Sequence, residues 1–89
     1  SLGARLYHYQ DYDNDEFDAV LQFEDGNWSA FEVKFNPDDV DAAAAELVRI
    51  AGKFTNNPPR SLAVVVDKQG FAHRRADGVY VLPIAALRP

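Results

Sequence analysis

Glu16-Phe17-Asp18-Ala19-Val20-Leu21-Gln22-Phe23, then Asp25-Gly26, then Trp28-Ser29-Ala30-Phe31-Glu32-Val33-Lys34-Phe35 is the stretch from which the fold is read. Its pattern predicts two strands joined by a tight hairpin, because Asp-Gly supplies the positive φ angles of a two-residue turn. Side chains alternate across a strand, so Glu16 and Asp18 share one face and Phe17, Ala19, Leu21 and Phe23 the other. On the second strand Phe31, Val33 and Phe35 share a face, with Glu32 and Lys34 opposite them. The hairpin is expected to bury its apolar surface and to present three carboxylates and one ammonium on the other.

The rest of the chain bounds what such a hairpin can belong to. Eighty-nine residues, 47% of them apolar, suffice for one domain with a single sheet and one or two helices. There is no cysteine, which excludes a disulfide scaffold, thiol catalysis and a Cys-based zinc site. No run reaches the length of a membrane span and no signal peptide opens the chain, so a cytoplasmic domain without membrane contact is expected. The start on strand-like sequence at Ala4 points to a part of something longer.

The net charge of −5 conceals two opposed parts. Up to Val48 there are twelve acidic residues against Arg5 and Lys34; from Arg49 onward there are seven basic residues against Asp67 and Asp77. One reading is that the two parts neutralise each other within the fold. The other is a polarised surface in which the basic part meets phosphate beside an acidic metal site. The overall acidity argues against tight, salt-sensitive nucleic-acid binding by this domain alone.

In chain order, Arg5 to Gln10 reads as a strand, and Asp11-Tyr12-Asp13-Asn14-Asp15 as a turn. Asp11, Asp13 and Asp15 have the opening spacing of a calcium loop, but Glu16 stands where the loop needs Gly and Gln22 where it needs Glu, so a solvated acidic turn is expected. After the hairpin a helix starts at Asn36 as N-cap, with Pro37 first and Asp38 and Asp39 favouring the helix dipole. Val40, Ala44, Leu47, Ala51 and Phe54 form its buried stripe, widened by Ala43 and Ile50. Asn56-Asn57-Pro58-Pro59 ends it. Leu62 to Val66, apolar throughout, reads as a strand buried on both faces, reached from the Trp28 to Phe35 strand by a parallel crossover. Short strands at Phe71 to Arg75 and Val79 to Leu82 flank an Asp77-Gly78 turn. Pro83 closes the last strand, and Ile84 to Leu87 forms a helical turn. The fold class is α+β (or α/β): a mixed β-sheet with a β-hairpin, one main helix, then strands.

Carboxylates on adjacent strands can converge, and hard oxygen ligands suit Mg²⁺ or Mn²⁺, which keep waters and accept phosphate oxygens. Asp18 and Glu32 are therefore the candidate ligands. Lys34 would orient the nucleophile or steady charge on the phosphorane, and Glu16 is a candidate accessory ligand. The same residues also fit a cross-strand ion pair on a solvated face. His8 and His73 are expected on strand surfaces, and no glycine-rich phosphate loop is present.

Asp18 on one strand and Glu32-Val33-Lys34 on the next resemble the core of the PD-(D/E)xK nuclease superfamily. Together with Tyr7-His8-Tyr9-Gln10-Asp11, Glu16 to Val20 and Ala30 to Lys34, the wording is similar to the C-terminal domain of unknown function that follows AAA-type ATPase modules in bacteria and archaea. The resemblance implies a restriction-endonuclease-like fold over residues 1–89, in a fragment of a longer ATPase-containing protein. It further implies a metal-dependent phosphodiesterase acting on DNA, with Asp18, Glu32 and Lys34 catalytic and the Val33 carbonyl as a further metal ligand. The superfamily core has a helix before its first strand, which this chain lacks. The alternative is a catalytically silent module of the same fold, serving protein interaction or regulation of the ATPase.

Overall fold

Antiparallel pairings build the first half of the sheet. In the structure, a computed structural model that describes residues 3–87, β1 (Ala4–Gln10) pairs with β2 (Glu16–Phe23), and β2 with β3 (Trp28–Lys34). The β2–β3 loop is one residue longer than a two-residue turn. The Gly26 N–H donates to Phe23 O at 3.0 Å and the Phe23 N–H to Asn27 O at 2.8 Å. Only Gly26 in this loop has a positive φ, +90°, the pattern of a three-residue hairpin loop closed by a left-handed glycine. Gly78, at φ +89°, repeats the arrangement.

After β3 the chain turns into its helix as its residues dictate. Asn36 Oδ1 accepts from the Asp38 N–H at 2.9 Å, Pro37–Asp39 forms a 3₁₀ turn, and α1 (Val40–Ala51) follows. The chain then enters β4 (Ser61–Val66), parallel to β3 as expected of a strand, helix and strand in sequence. β6 (Tyr80–Pro83) runs parallel to β4, and the two-residue β5 (His73–Arg74) closes the edge. The strand order is β1-β2-β3-β4-β6-β5, a six-stranded mixed sheet with one helix, so the class is α+β. Ile84–Leu87 is a single 3₁₀ turn.

One departure from regular pairing decides which side chains the helix covers. Tyr7 opposes Val20 and Tyr9 opposes Phe17, so two residues of β2, Asp18 and Ala19, stand against His8 alone. This is a β-bulge, and it shifts the alternation of β2 by one residue. Phe17 and Val20, which strict alternation puts on opposite faces, are both buried beneath α1. They join Trp28, Ala30, Val64, Val66 and Val81 of the sheet, Val79 just before β6, and Val40, Ala43, Ala44, Leu47 and Ile50 of the helix in one core. Phe54 packs at its margin, its ring 4.8 Å from that of Trp28.

The facing of the hairpin is thereby corrected. Trp28 and Ala30 lie under the helix, and by alternation Glu32 and Lys34 belong to that same covered face. The apolar Phe31 and Val33 lie on the opposite face, which no helix covers among the described residues. Phe35 falls beyond β3 and is exposed. The expected separation of a buried apolar surface from a solvated charged one fails because the residues that precede the charges on the same face, Trp28 and Ala30, are the ones α1 covers.

Leu47 is fully buried at the centre of the helix stripe. Its replacement by Ala is expected to lower the unfolding free energy by about 2–5 kcal/mol. Urea denaturation of the two proteins measures this. The loss is a large share of the roughly 5–15 kcal/mol typical of a domain.

Candidate functional site

Pairing between β2 and β3 extends from Gln22 opposite Trp28 to Ala19 opposite Phe31, and stops. Beyond that point the two strands are joined by a side chain. The Val33 N–H donates to Asp18 Oδ2 at 2.8 Å. The bulge frees Asp18 to turn into this gap, since its own segment no longer keeps register with β1. In an extended strand the N–H and C=O of one residue point toward the same neighbour, so the Val33 carbonyl is directed at the gap as well, while its side chain lies on the open face.

Glu32 precedes Val33 and faces the helix. It is half-buried, and its carboxyl lies in hydrogen-bonding contact with that of Asp18. Burial, then the Asp18 charge and the hydrogen bond to it, push the Glu32 carboxyl up to about 7, with Lys34 opposing the shift. Glu32 and Lys34 line a cleft of about 380 Å³ together with Asp39, Ala42, Ala43 and Glu46. Among the described residues Lys34 forms no ion pair within 4.0 Å. The simple cross-strand ion pair is therefore not what these residues make.

Of the five residues singled out in the sequence, Glu32 and Lys34 line this cleft, while Asp18 reaches the Val33 N–H and acts on the Glu32 carboxyl from the gap between β2 and β3. Glu16 does not join them; its carboxylate is held by His8 Nε2 at 2.8 Å. Asp39 and Glu46 were missed as cleft residues. Positions 39, 42, 43 and 46 recur at helical spacing beside the buried Ala43, and that periodicity is the signal that places them on the sheet-facing margin.

A second acidic group reads differently. Asp11, Asp13 and Asp15 bring one oxygen each within 4.8 Å of one another. Lys53 Nζ, from just beyond α1, stands among them at 2.7, 3.0 and 2.8 Å. Arg49 also bonds Asp15, at 2.6 Å, and pairs with Glu46. The turn is thus clamped by basic side chains, where a solvated turn was expected. Hydrogen bonds from Arg49 and then Lys53 hold the Asp15 carboxyl down at about 2, and the Lys53 bond lowers that of Asp11. Arg75 bridges Asp41 and Asp77 at 2.5 and 3.2 Å. Among the described residues, Arg49, Lys53 and Arg75 of the basic second part thus pair with Asp11, Asp13, Asp15, Asp41 and Glu46 of the acidic first part.

A hollow of about 430 Å³ lies at the other end of α1 among Tyr7, Tyr9, Gln22, Trp28 and Phe54, with no carboxylate in its lining. No helix among the described residues is long and apolar enough to cross a membrane.

With this geometry in hand, comparison with known proteins adds one finding. Residues 1–87 match the family described as Domain of unknown function (DUF4143). The chain belongs to the DUF4143 family. No curated protein and no solved structure matches it, so for this DUF4143 chain the cleft itself carries the functional argument.

Two responses to pH follow from these charges. The Glu32 carboxyl sits above its ordinary 4.5 in the folded chain, so its contribution to stability is full below that value and is lost as pH rises through about 7. Thermal melts between pH 5 and 8 are expected to show this loss in the wild type and not in Glu32→Gln. Asp15 is shifted the other way, so its contribution is present above the ordinary carboxylate range and is lost as pH falls toward about 2. Lys53→Met is expected to lower the melting temperature at pH 7 and to have little effect at pH 2.

Proposed function

We propose that this DUF4143 chain is a nuclease-like domain that holds Mg²⁺ or Mn²⁺ between Asp18 and Glu32 and hydrolyses phosphodiester bonds of DNA, coupled to an ATPase module of a longer protein. What supports the reading is that Asp18, bonded to the Val33 N–H, acts on the half-buried Glu32 carboxyl, with Lys34 beside Glu32 in the cleft. Two carboxylates and a carbonyl are hard oxygen donors of the kind these ions take. The raised Glu32 carboxyl supports the fit: the pair lacks full compensation, which a cation would supply.

Each residue has a part. Asp18 spends one oxygen on the Val33 N–H and keeps the other for the ion. Glu32, ionised on binding, supplies the opposite ligand, and the Val33 carbonyl a third. Lys34, unpaired in the cleft, positions the attacking water or steadies charge gathering on the phosphorane. The bound ion supplies polarisation of the phosphoryl group and a more acidic water. Glu16, held by His8, takes no part.

A second reading, a silent module of the same fold that regulates the ATPase or docks a partner, is favoured by one observation. Arg49, Lys53 and Arg75 are engaged in internal ion pairs, and Asp39 adds negative charge to the cleft, both of which weigh against holding a polyanion there.

At an ion concentration tenfold above its dissociation constant, binding stabilises by about 1.4 kcal/mol, a rise on the order of 5–10 °C for a domain of this size. Mg²⁺ or Mn²⁺ is expected to give such a rise in the wild type and none in Asp18→Ala or Glu32→Ala; an equal rise in all three removes the site. In Lys34→Ala the rise persists and Mn²⁺-dependent nicking of plasmid DNA disappears. A metal response without any nicking by the wild type decides for the silent module.

A further inference from the structure

We propose that the hollow at the C-terminal end of α1 is a slot for a nucleobase, carried either by a free nucleotide or by a single strand of nucleic acid. Its walls follow from the sheet register. Tyr7 on β1 stands opposite Val20 on β2, and Trp28 on β3 opposite Gln22 on β2; all of these side chains line the hollow. Tyr7 and Trp28 therefore rise two strand spacings apart, about 9–10 Å, roughly twice the closer centroid separation of about 4.5 Å between stacked rings. One flat ring fits between them, with Val20 and Gln22 as the floor. The Trp28 side is a continuous wall, since the Phe54 ring packs 4.8 Å from that of Trp28 and the Tyr9 ring 5.4 Å from that of Phe54. The volume of about 430 Å³ falls among those of small-ligand sites, about 300–1,000 Å³.

The polar groups select the kind of flat ligand. Those of the wall are committed within the fold: Trp28 Nε1 donates to Asn57 O at 2.8 Å and the Tyr9 hydroxyl to Asp11 Oδ2 at 3.1 Å. An anionic group finds no free cation in the lining, because Lys53 is bonded to Asp11, Asp13 and Asp15. An ammonium finds no carboxylate there, meets the Lys53 charge, and cannot enter between rings already packed on one another. Gln22, Thr55 and Asn56 remain, all neutral. A carboxamide sets a donor and an acceptor side by side, the pair that meets a base edge such as that of adenine in two hydrogen bonds. A purely apolar ligand would leave these amides unpaired. The Arg5 guanidinium, 5.6 Å over the Tyr7 ring and in no ion pair among the described residues, stands beside the slot to meet the phosphate that a nucleotide carries.

Trp28 is the one tryptophan of the 89-residue chain, so its fluorescence reports whether the slot is filled. The slot is separate from the Asp18–Glu32 cleft, and titration in EDTA keeps the result independent of any ion bound there. Adenosine and a short oligodeoxyadenylate are expected to quench Trp28 saturably, and ribose 5-phosphate, which has no base, to leave it unchanged. Tyr7→Ala and Gln22→Leu are each expected to weaken the quenching about tenfold with an unchanged melting temperature. Adenosine monophosphate binding as tightly as the oligomer assigns the base to a free nucleotide; an oligomer that binds more tightly, and less so as salt rises, assigns it to a strand. No saturable quenching by adenosine or the oligomer up to millimolar concentration overturns the proposal. So does quenching that both substitutions leave intact, or displacement of adenosine by tetramethylammonium, which would make the hollow a cation site.

Discussion

One extra residue in β2 sets the phase of the sheet against its helix. With Asp18 and Ala19 both standing opposite His8, Phe17 and Val20 can bury on the same side, and the hydrophobic stripe of α1 finds a surface wide enough to cover. Without the bulge, one of these two would be turned away from the helix, and the burial of a large apolar side chain, worth about 1.5–3 kcal/mol, would be lost. The same insertion breaks the β2–β3 ladder early and leaves a carboxylate to receive a backbone N–H. Core and candidate site thus share a single cause.

Much of this was legible in the residues. Asn36-Pro37-Asp38-Asp39 announced the helix start, and the apolar run at 62–66 announced a central strand that the parallel register confirms. Glycines after Asp25 and Asp77 marked both hairpins. What could not be read was the facing of the hairpin. Ala19-Val20-Leu21 is apolar at three successive positions, so periodicity alone fixes no phase there, and a bulge has no marker in Asp-Ala. On β3 the apolar Phe31, Val33 and Phe35 outnumber Trp28 and Ala30, yet the latter pair faces the helix and carries Glu32 and Lys34 with it.

The cleft was legible in part for the same reason. Asp18, Glu32 and Lys34 follow from strand neighbours, which the sequence supplies. Asp39 and Glu46 come from the helix margin, and their approach depends on how α1 crosses the sheet. The engagement of Glu16 by His8 depends on the β1–β2 register, which the bulge itself alters.

The two acidic clusters differ in where their countercharge comes from. At the 11–15 turn it is tethered: Lys53 belongs to the same chain, so dilution and chelators cannot remove it, and its local concentration is set by the fold rather than by the solution. The Asp18–Glu32 pair has no such resident counter-ion beyond the nearby Lys34. Its electrostatic balance is left open to the medium, so the ionic surroundings of the cell have a say at one end of α1 that they are denied at the other.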